Sequence, residues 1–168
     1  MIASLKAAGA DESKIKFTTG DELYHNNDEF WMQTIEVAKH MTLNDGIKAT
    51  TIMGRNMKES MPLAFLMYPP MQAADIFVQD LTLAHSGLDQ RKVQVIARDV
   101  GDKIKIHPLK FKEKTIKPVL LHHALLPGLQ KPLEWPIPKE KLQTILSEMK
   151  MSKSIPDSAI FLNDSAEE

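Results

Sequence analysis

Apolar residues recur every three or four positions from Asp28 to Met41, in the segment DEFWMQTIEVAKHM. This spacing predicts an amphipathic helix that turns one face toward a core. Asn27 or Asp28 is available as its N-cap. The residues that we expect on the buried face are Phe30, Ile35, Val37, Ala38 and Met41.

The flanking segments predict further short elements. SLKAAGADESKIKFTTG is typical of a helix end, a turn and a short strand at Ile15 to Thr18. TLNDGIKATTIMG predicts another helix, and SMPLAFLMYPPMQAADIFVQD predicts an apolar-rich helix interrupted by Pro69 and Pro70. Because proline lacks an N–H group, this pair must either begin a helical turn or kink one.

The second half of the chain alternates strand and helix patterns. LTLAHSG predicts a strand that ends at Gly87, and IKPVLLHHALLPG predicts another. Between them, LDQRKVQVIARDVGDK predicts an amphipathic helix, and the lysine-rich KIKIHPLKFKEKTIK favours a solvated edge strand. KPLEWPIPKEKLQTILSEM indicates a proline-rich excursion followed by a helix. Strands separated by helices predict an α/β fold with a parallel sheet. The inward residues of the helix are Val93, Ile96, Ala97 and Val100.

The C-terminal residues predict a further strand and the start of a further helix. AIFLND, Ala159 to Asp164, is typical of a buried strand, and Asp164 with Glu167 has the spacing of a capping box that opens a helix. We therefore expect the chain to be a piece of a longer or split protein.

Composition narrows the class of protein. The chain has 168 residues, 43% of them hydrophobic, a net charge of −1 and no cysteine. A disulfide framework, a thiolate zinc site and a cysteine nucleophile are excluded, and the charge gives no general attraction to a polyanion. No secretory signal or apolar run of membrane-spanning length is visible, so we expect a soluble cytoplasmic protein without a membrane partner.

Three groups of residues could carry chemistry. In YPPMQAADI, Tyr68, Gln72 and Asp75 lie at i, i+4 and i+7, so on a helix they point to one side. This stripe is either turned toward a cavity, or part of a solvated face or a satisfied core network. In HSGLDQRK, Asp89 and Gln90 follow Gly87 where a strand gives way to a helix, the usual place for ligands in a parallel sheet. A carboxylate there can bind ribose hydroxyls, but Asp89 could equally cap the helix.

The third group is the loop KMSKS. Two ammonium groups, on Lys150 and Lys153, could wrap a triphosphate and stabilise the charge that develops when pyrophosphate leaves. Such a loop could also simply be solvated. The histidines make a poor metal site, because His122 and His123 are adjacent and would point to opposite faces of a strand.

The order of these motifs is more informative than any one of them. YPPMQAADI, then GLDQRKV, then KMSKS followed by PDSAIFLND resembles the tyrosyl-tRNA synthetases of the archaeal and eukaryotic type, class I aminoacyl-tRNA synthetases with a Rossmann-like catalytic domain. The resemblance covers Lys14 to Glu168. Tryptophanyl synthetases share the general plan, but the Asp75 position and the DQRK run are of the tyrosine type.

The resemblance implies a role for each candidate. Tyr68, Gln72 and Gln90 would surround the amino group of tyrosine, and Asp75 would accept a hydrogen bond from its phenol. Gly87 and Asp89 match positions that hold the ribose of ATP. In the family a mobile loop steadies the pyrophosphate, and its positions are matched here by Lys150, Ser152 and Lys153. The implied reaction is activation of tyrosine by ATP with Mg²⁺, followed by transfer of tyrosine to its tRNA.

The sequence also departs from the family pattern. The His-Ile-Gly-His motif of class I synthetases is absent from these 168 residues, as are the first half of the nucleotide fold and the anticodon-binding region. We expect residues 1–60 to form connecting helices of a homodimer interface, and residues 61–168 to form the second half of the nucleotide-binding fold.

The principal hypothesis is therefore a fragment or split half of tyrosine–tRNA ligase that does not activate tyrosine alone. The alternatives are a synthetase-derived interaction protein without catalysis and an unrelated α/β nucleotide-binding module.

Overall fold

The computed structural model describes residues 2–50, 62–132, 134–142, 145, 149–152, 154–161, 164 and 165. The chain divides into two compact units. We call Leu23–Leu125 the central unit, and Met1–Glu22 with Leu126–Glu168 the terminal unit. The helices are α1 (Ile2–Ala7), α2 (Gly20–Tyr24), α3 (Asp28–His40), α4 (Leu43–Thr50), α5 (Tyr68–Val78) and α6 (Arg91–Val100), and the strands are β1 (Leu83–Gly87), β2 (Lys110–Phe111), β3 (Lys114–Thr115) and β4 (Val119–His123).

Helix α3 begins at the predicted place and buries most of the predicted face, with Phe30 and Val37 fully buried. The Asn27 side chain caps it by accepting a hydrogen bond from the Phe30 N–H at 3.1 Å. The expectation that Ile35 faces the core is wrong, since its side chain is 57% exposed. Gln33 and Thr34 are buried as well. Gln33 Oε1 accepts a hydrogen bond from the His107 N–H, and the Thr34 hydroxyl donates to the Phe30 carbonyl. Apolar periodicity could not identify these two positions, because they are polar.

Helices α5 and α6 follow the sequence closely. Pro69 and Pro70 lie in the first turn of α5, where no intrahelical donor is needed, so they begin the helix and do not kink it. A 3₁₀ turn, Leu63–Met67, precedes them. The four apolar residues predicted to face inward from α6 are all buried, and they join α5 in the core of the central unit.

The parallel sheet expected from the alternation of elements is present. Strands β1 and β4 pair in parallel, from Leu83 opposite Val119 to Gly87 opposite His123, with α6 in the connection between them. Their carboxyl ends therefore meet at one edge, as in α/β folds that bind ligands there. Strands β2 and β3 form an antiparallel hairpin, so the lysine-rich segment is only in part the edge strand that we predicted.

Two predicted strands are wrong. Ile15 to Thr18 is extended chain without strand pairing, and Phe17 is 45% exposed. Ala159 to Phe161 does not form a strand either, and Ile160 is 65% exposed. Both segments are apolar enough for a strand, but neither has a neighbouring strand among the described residues.

Several other predictions can be followed only in part. The Asp164 carboxylate accepts a hydrogen bond from the Phe161 N–H at 2.6 Å, while the capping partner Glu167 lies outside the described residues. The helix predicted beyond Thr50 also falls in undescribed residues, 51–61, and the helix after Lys141 is described only at Leu142 and Ile145. No helix in the described ranges is long and apolar enough to cross a membrane.

The Glu36 carboxylate fixes the loop after α6. It accepts hydrogen bonds from the backbone N–H groups of Lys105 and Ile106, both at 3.0 Å. We expect Glu36→Ala to lower the free energy of unfolding by about 1 kcal/mol, because two backbone donors of an exposed loop lose a charged acceptor. Urea unfolding measures this. The matched control is Glu29→Ala, which removes an exposed carboxylate 3.5 Å from the ring of His107 and should cost well under about 1 kcal/mol. Equal losses in the two variants would contradict this role for Glu36.

Candidate functional site

Helix α5 presents the polar stripe found in the sequence. The paired prolines start the helix at Tyr68, so Gln72 and Asp75 follow one and two turns later on the same side. Both side chains are partly buried, whereas Tyr68 is 43% exposed. The stripe therefore runs from the surface at the start of the helix toward the interior.

The end of β1 brings a second set of polar groups to this stripe. After Gly87 the chain turns through a 3₁₀ turn, Leu88–Gln90, and enters α6. The Gln72 Nε2 group donates a hydrogen bond to Gln90 Oε1 at 3.3 Å, and Gln90 Nε2 donates to Asp89 Oδ2 at 3.2 Å. Two candidates that are distant in sequence thus meet at the carboxyl end of the strand.

Gln72 and Gln90 border a cavity of about 270 Å³ in the central unit. Its polar lining includes Gln72, Asp75, Gln90 and Gln94, and its apolar lining comes from α5, α6 and β1, with residues such as Ile76, Leu83 and Val93. Small-molecule sites usually combine apolar walls with convergent polar groups, and this cavity has both. Tyr68 is not part of this lining.

Three polar atoms of this lining are buried without a hydrogen-bond partner. They are Gln72 Oε1, Asp75 Oδ1 and Gln94 Oε1, and all three are acceptors. Buried acceptors are normally satisfied, so their grouping at one cavity indicates a ligand or solvent that supplies donors. A ligand with a hydroxyl and an ammonium group would match this demand.

Asp75 is the charged group of the cavity. Burial raises the pKa of its carboxyl from 3.8 to about 6, against the opposing effect of a hydrogen bond from the Tyr24 hydroxyl. That hydroxyl lies 3.3 Å from Asp75 Oδ2. Since the pKa remains below 7, Asp75 is mainly an ionised acceptor at neutral pH.

Gly87 allows the 3₁₀ turn to fold back on itself. A Cβ atom at this position would lie 2.6 Å from Asp89 Oδ1 and 2.8 Å from a methyl group of Leu125. The N-cap of α6 is Gln90, so Asp89 does not occupy the capping position that its sequence context left open. The Asp89 carboxylate instead lies against the glycine at the end of β1.

Lys150 and Ser152 lie in the terminal unit, in a loop tied to the segment around Gly128. Lys150 forms an antiparallel bridge with Pro127, and Leu129 N–H donates to the carbonyl of Ser158 at 3.0 Å. The buried Ser158 hydroxyl accepts from the Ser152 N–H at 3.2 Å and donates to the Ile155 carbonyl at 2.6 Å. The third member of the predicted phosphate loop, Lys153, lies outside the described residues.

Sequence reasoning missed one residue of the cavity lining, Gln94, and one residue that contacts the lining, Tyr24. Gln94 lies one helical turn after Gln90, so its i+4 spacing could have indicated a shared face. Tyr24 lies 51 residues before its partner Asp75, and no local pattern connects them.

The register of the parallel strands also pairs two histidines. His123 Nδ1 and His85 Nε2 lie 3.0 Å apart, so one ring donates a hydrogen bond to the other. Burial alternates along β4, as expected for adjacent residues such as His122 and His123, but the sequence could not show that β1 supplies a partner for His123. Within the described ranges no three or more histidine, aspartate or glutamate side chains converge on a possible metal position.

The fold agrees with comparisons to known proteins. A family model described as tRNA synthetases class I (W and Y) matches residues 1–168. The chain belongs to this family.

Within the family, the relatives are tyrosine–tRNA ligases. The chain is 48% identical over 169 residues to the tyrosine–tRNA ligase of Thermococcus gammatolerans and 47% identical over 164 residues to tyrosine–tRNA ligase 1 of Pyrobaculum aerophilum. These matches cover 100% and 98% of this chain but only 45% and 43% of the two relatives. The chain thus spans less than half the length of the curated relatives that it matches.

Solved structures give the same result. The crystal structure of tyrosyl-tRNA synthetase from Pyrococcus horikoshii, complexed with L-tyrosine, matches with a TM-score of 0.88 and 45% identity, over 98% of this chain and 44% of that one. The Leishmania major tyrosyl-tRNA synthetase in complex with tyrosinol matches with a TM-score of 0.70 and 34% identity, over 99% of this chain and 21% of that one.

Proposed function

We propose that this chain supplies the amino-acid pocket and the phosphate loop of a tyrosine–tRNA ligase. The observation that carries the proposal is the cavity lined by residues of β1, α5 and α6, where buried acceptors of Gln72, Asp75 and Gln94 lack partners. The ligands named for the two solved relatives, L-tyrosine and tyrosinol, both carry a phenol and an amine. Such a ligand offers the donors that these acceptors lack.

Each side of the pocket would recognise one end of tyrosine. Asp75 would accept the phenol O–H, and a ligand without that hydroxyl would leave a buried carboxylate oxygen unpaired. The amino group would bind near Gln72 and Gln90, which already contact each other, and Tyr68 would complete this end from the start of α5.

ATP would bind next to the amino acid. Asp89, held against Gly87, would bind ribose hydroxyls, and the phosphates would bind the loop that contains Lys150, Ser152 and Lys153. Magnesium would enter as the ATP complex and help to neutralise the charge on the leaving pyrophosphate.

The chain's residues would then support two transfers. In the first, a carboxylate oxygen of tyrosine attacks the α-phosphorus of ATP, the bond from that phosphorus to the bridging oxygen breaks, and pyrophosphate leaves. Lysine ammonium groups stabilise the charge that builds on this oxygen. In the second, a ribose hydroxyl at the 3′ end of tRNA(Tyr) attacks the tyrosyl carbonyl, and AMP leaves. The pocket orients tyrosine for both steps.

The exposed side of α3 supports a homodimer. Trp31, Met32 and Ile35 are 41%, 53% and 57% exposed and lie on one face of the helix. Large apolar side chains grouped on an exposed face are typical of protein interfaces. We therefore propose that residues 1–60 contribute to a dimer interface. Family membership, and not this helix face, is the basis for our proposal that the enzyme acts in the cytoplasm.

The test is tyrosine-dependent exchange of pyrophosphate into ATP. It would be measured for the 168-residue chain alone and for the chain mixed with a polypeptide that carries the His-Ile-Gly-His motif and the first half of the nucleotide fold of a tyrosyl-tRNA synthetase. We call this mixture the complemented enzyme. We expect exchange only in the mixture. Exchange by the chain alone would contradict the expectation that both halves are needed. Absence of exchange in the mixture would favour a non-catalytic interaction protein.

A further inference from the structure

Tyr24 and Asp75 form a hydrogen bond across 51 residues of sequence, beside the cavity. The Tyr24 hydroxyl donates to Asp75 Oδ2 at 3.3 Å, while Asp75 Oδ1 is buried without a partner. The two oxygens of one carboxylate are thus in different situations. Oδ2 accepts a hydrogen bond from Tyr24, and Oδ1 can accept one from a ligand.

The end of α2 holds the Tyr24 ring in a defined place. The ring packs on Phe30 with centroids 4.6 Å apart, and Trp31 Nε1 donates to the Tyr24 carbonyl at 3.0 Å. Asn27, which caps α3, also donates from its side-chain amide to the Leu23 carbonyl at 2.8 Å. The phenol is therefore fixed through its ring and its backbone, and only its hydroxyl reaches Asp75.

We propose that Tyr24 is a positioning residue that occupies one oxygen of Asp75 and leaves the other to bind the phenol of the amino-acid substrate. The identity of that substrate rests on the proposed function, but the Tyr24–Asp75 contact does not. With Oδ2 held, the carboxylate cannot rotate to satisfy Oδ1 elsewhere, so an incoming ligand must supply a donor. Tyr24 would in this way increase the cost of binding phenylalanine.

The pKa values of Tyr24 and Asp75 are consistent with these two roles of the carboxylate oxygens. The pKa of the Tyr24 phenol rises to about 12, first through burial and then through the charge of Asp75, so it remains a donor at physiological pH. Its hydrogen bond stabilises the ionised form of Asp75 against the effect of burial. The distance of 3.3 Å is long for such a bond, and contacts of this kind often tighten when substrate excludes water.

The other titratable groups near the pair are few. Tyr68, on α5 itself, contributes to the raised pKa of Tyr24, and His85 on β1 lines the same cavity. Asp89, in the turn after β1, accepts a hydrogen bond from Gln90 Nε2. The side chains that α3, α4 and α6 bury in the core are not titratable. The Tyr24 hydroxyl is therefore the group whose removal should affect Asp75 most.

The first experiment needs no substrate. The side-chain carboxyl of Asp75 is titrated by carbon-13 NMR in the wild-type chain and in Tyr24→Phe, which keeps the ring against Phe30. We expect the Asp75 midpoint to move upward by roughly half a pH unit or more, because the ionised form loses a donor. Tyr68→Phe is the control, since it removes the chain's other tyrosine hydroxyl, which does not contribute to the shifted pKa of Asp75, and it should leave the midpoint unchanged.

The second experiment measures selectivity in the complemented enzyme. Tyr24→Phe should reduce the ratio of kcat/KM for tyrosine to that for phenylalanine by roughly 3- to 30-fold, mainly through KM for tyrosine, and the optimum should shift to higher pH. A merely structural role would weaken both amino acids alike. An unchanged Asp75 midpoint together with an unchanged ratio would overturn the proposal.

Two further outcomes are distinguishable. A shifted midpoint in an enzyme whose wild type does not prefer tyrosine would support the Tyr24–Asp75 link and refute the proposed function. If Tyr24→Phe does not fold, 3-fluorotyrosine can replace the chain's two tyrosines, which keeps both rings and makes each hydroxyl a stronger donor. The Asp75 midpoint should then fall, and a constant midpoint would refute the proposal.

Discussion

Asp75→Asn should reduce the preference of the complemented enzyme for tyrosine over phenylalanine by roughly 10- to 100-fold, because a charged acceptor for the phenol becomes a neutral amide. The carboxylate offers only acceptors, whereas an amide can turn its N–H₂ group toward the ligand and no longer requires a hydroxyl. Pyrophosphate exchange driven by each amino acid measures the ratio.

The same substitution should stabilise the fold at neutral pH. Since burial raises the pKa of Asp75 from 3.8 to about 6 in the folded chain, the folded state binds the proton more tightly than the unfolded state. The resulting contribution to stability is present below pH 4 and is lost as the pH rises through 6. Because the carboxyl is partly solvent-exposed, we expect Asp75→Asn to gain about 1 kcal/mol at pH 7.5 and almost nothing at pH 4.

A matched control is Asp89→Asn, which makes the same chemical change in the turn after β1. It should weaken the binding of ATP without altering the preference for tyrosine over phenylalanine. If both variants kept full selectivity, Asp75 would not be the phenol acceptor. If Asp75→Asn lost selectivity and also lost stability at pH 7.5, the raised pKa of the buried carboxyl would be the wrong explanation of its energetics.

Local spacing predicted the parts of the site that lie on one element. The positions of Tyr68, Gln72 and Asp75 follow from helical geometry once the prolines are known to start α5. The family resemblance implied that Gln72 and Gln90 lie around one amino group, and the two side chains do meet, although Gln72 precedes the strand that ends at Gly87 and Gln90 follows it. Parallel α/β geometry brings such positions together at a strand end.

The contacts that sequence could not predict are those between elements without a shared period. Tyr24 reaches Asp75 only because the end of α2 is anchored on the start of α3. Gln33 is buried because a distant loop, at His107, supplies a backbone donor. Hydrophobic patterns contain no information about such hydrogen-bond partners. For this reason the pattern assigned the apolar Ile35 to the core and not the polar Gln33 and Thr34.

The failed strand at Ala159 to Phe161 has a related cause. An apolar run specifies that a segment can pair, but pairing requires a neighbour with free backbone groups. Here the neighbouring Ser158 carbonyl accepts instead from Leu129, and the chain before it closes a 3₁₀ turn, Pro156–Ser158. Strand propensity alone does not distinguish these two arrangements.

Gly128→Ala should reduce both stability and activity, because Gly128 has no room for a side chain. A Cβ atom there would lie 2.7 Å from two backbone oxygens, the carbonyls of Met149 and Ser158. Gly128 N–H also donates to the Met149 carbonyl, so the glycine is bonded to the loop that would have to move. Backbone atoms yield less easily than the end of a flexible side chain, and we expect a loss of about 2 kcal/mol in the free energy of unfolding.

The functional consequence follows from the neighbours of those carbonyls. Met149 directly precedes Lys150, and Ser158 is hydrogen-bonded to Ser152, so a displaced carbonyl displaces the proposed phosphate-binding residues. A shift near 1 Å at such a loop can reduce a rate about 100-fold. We expect a loss of this size in the kcat for pyrophosphate exchange, with tyrosine binding unchanged, because the tyrosine pocket is built within the central unit.

Gly46→Ala is the matched control for Gly128→Ala. Gly46 lies within α4, and a Cβ atom there would meet only a methyl group of Leu66, at 3.8 Å. Alanine favours a helix over glycine by up to about 1 kcal/mol, so this variant should be as stable as the wild type or more stable, with unchanged exchange kinetics. If Gly128→Ala behaved like Gly46→Ala, the loop could move away from Gly128 without cost. In that case the contacts around Ser158 would not be what positions Lys150 and Ser152.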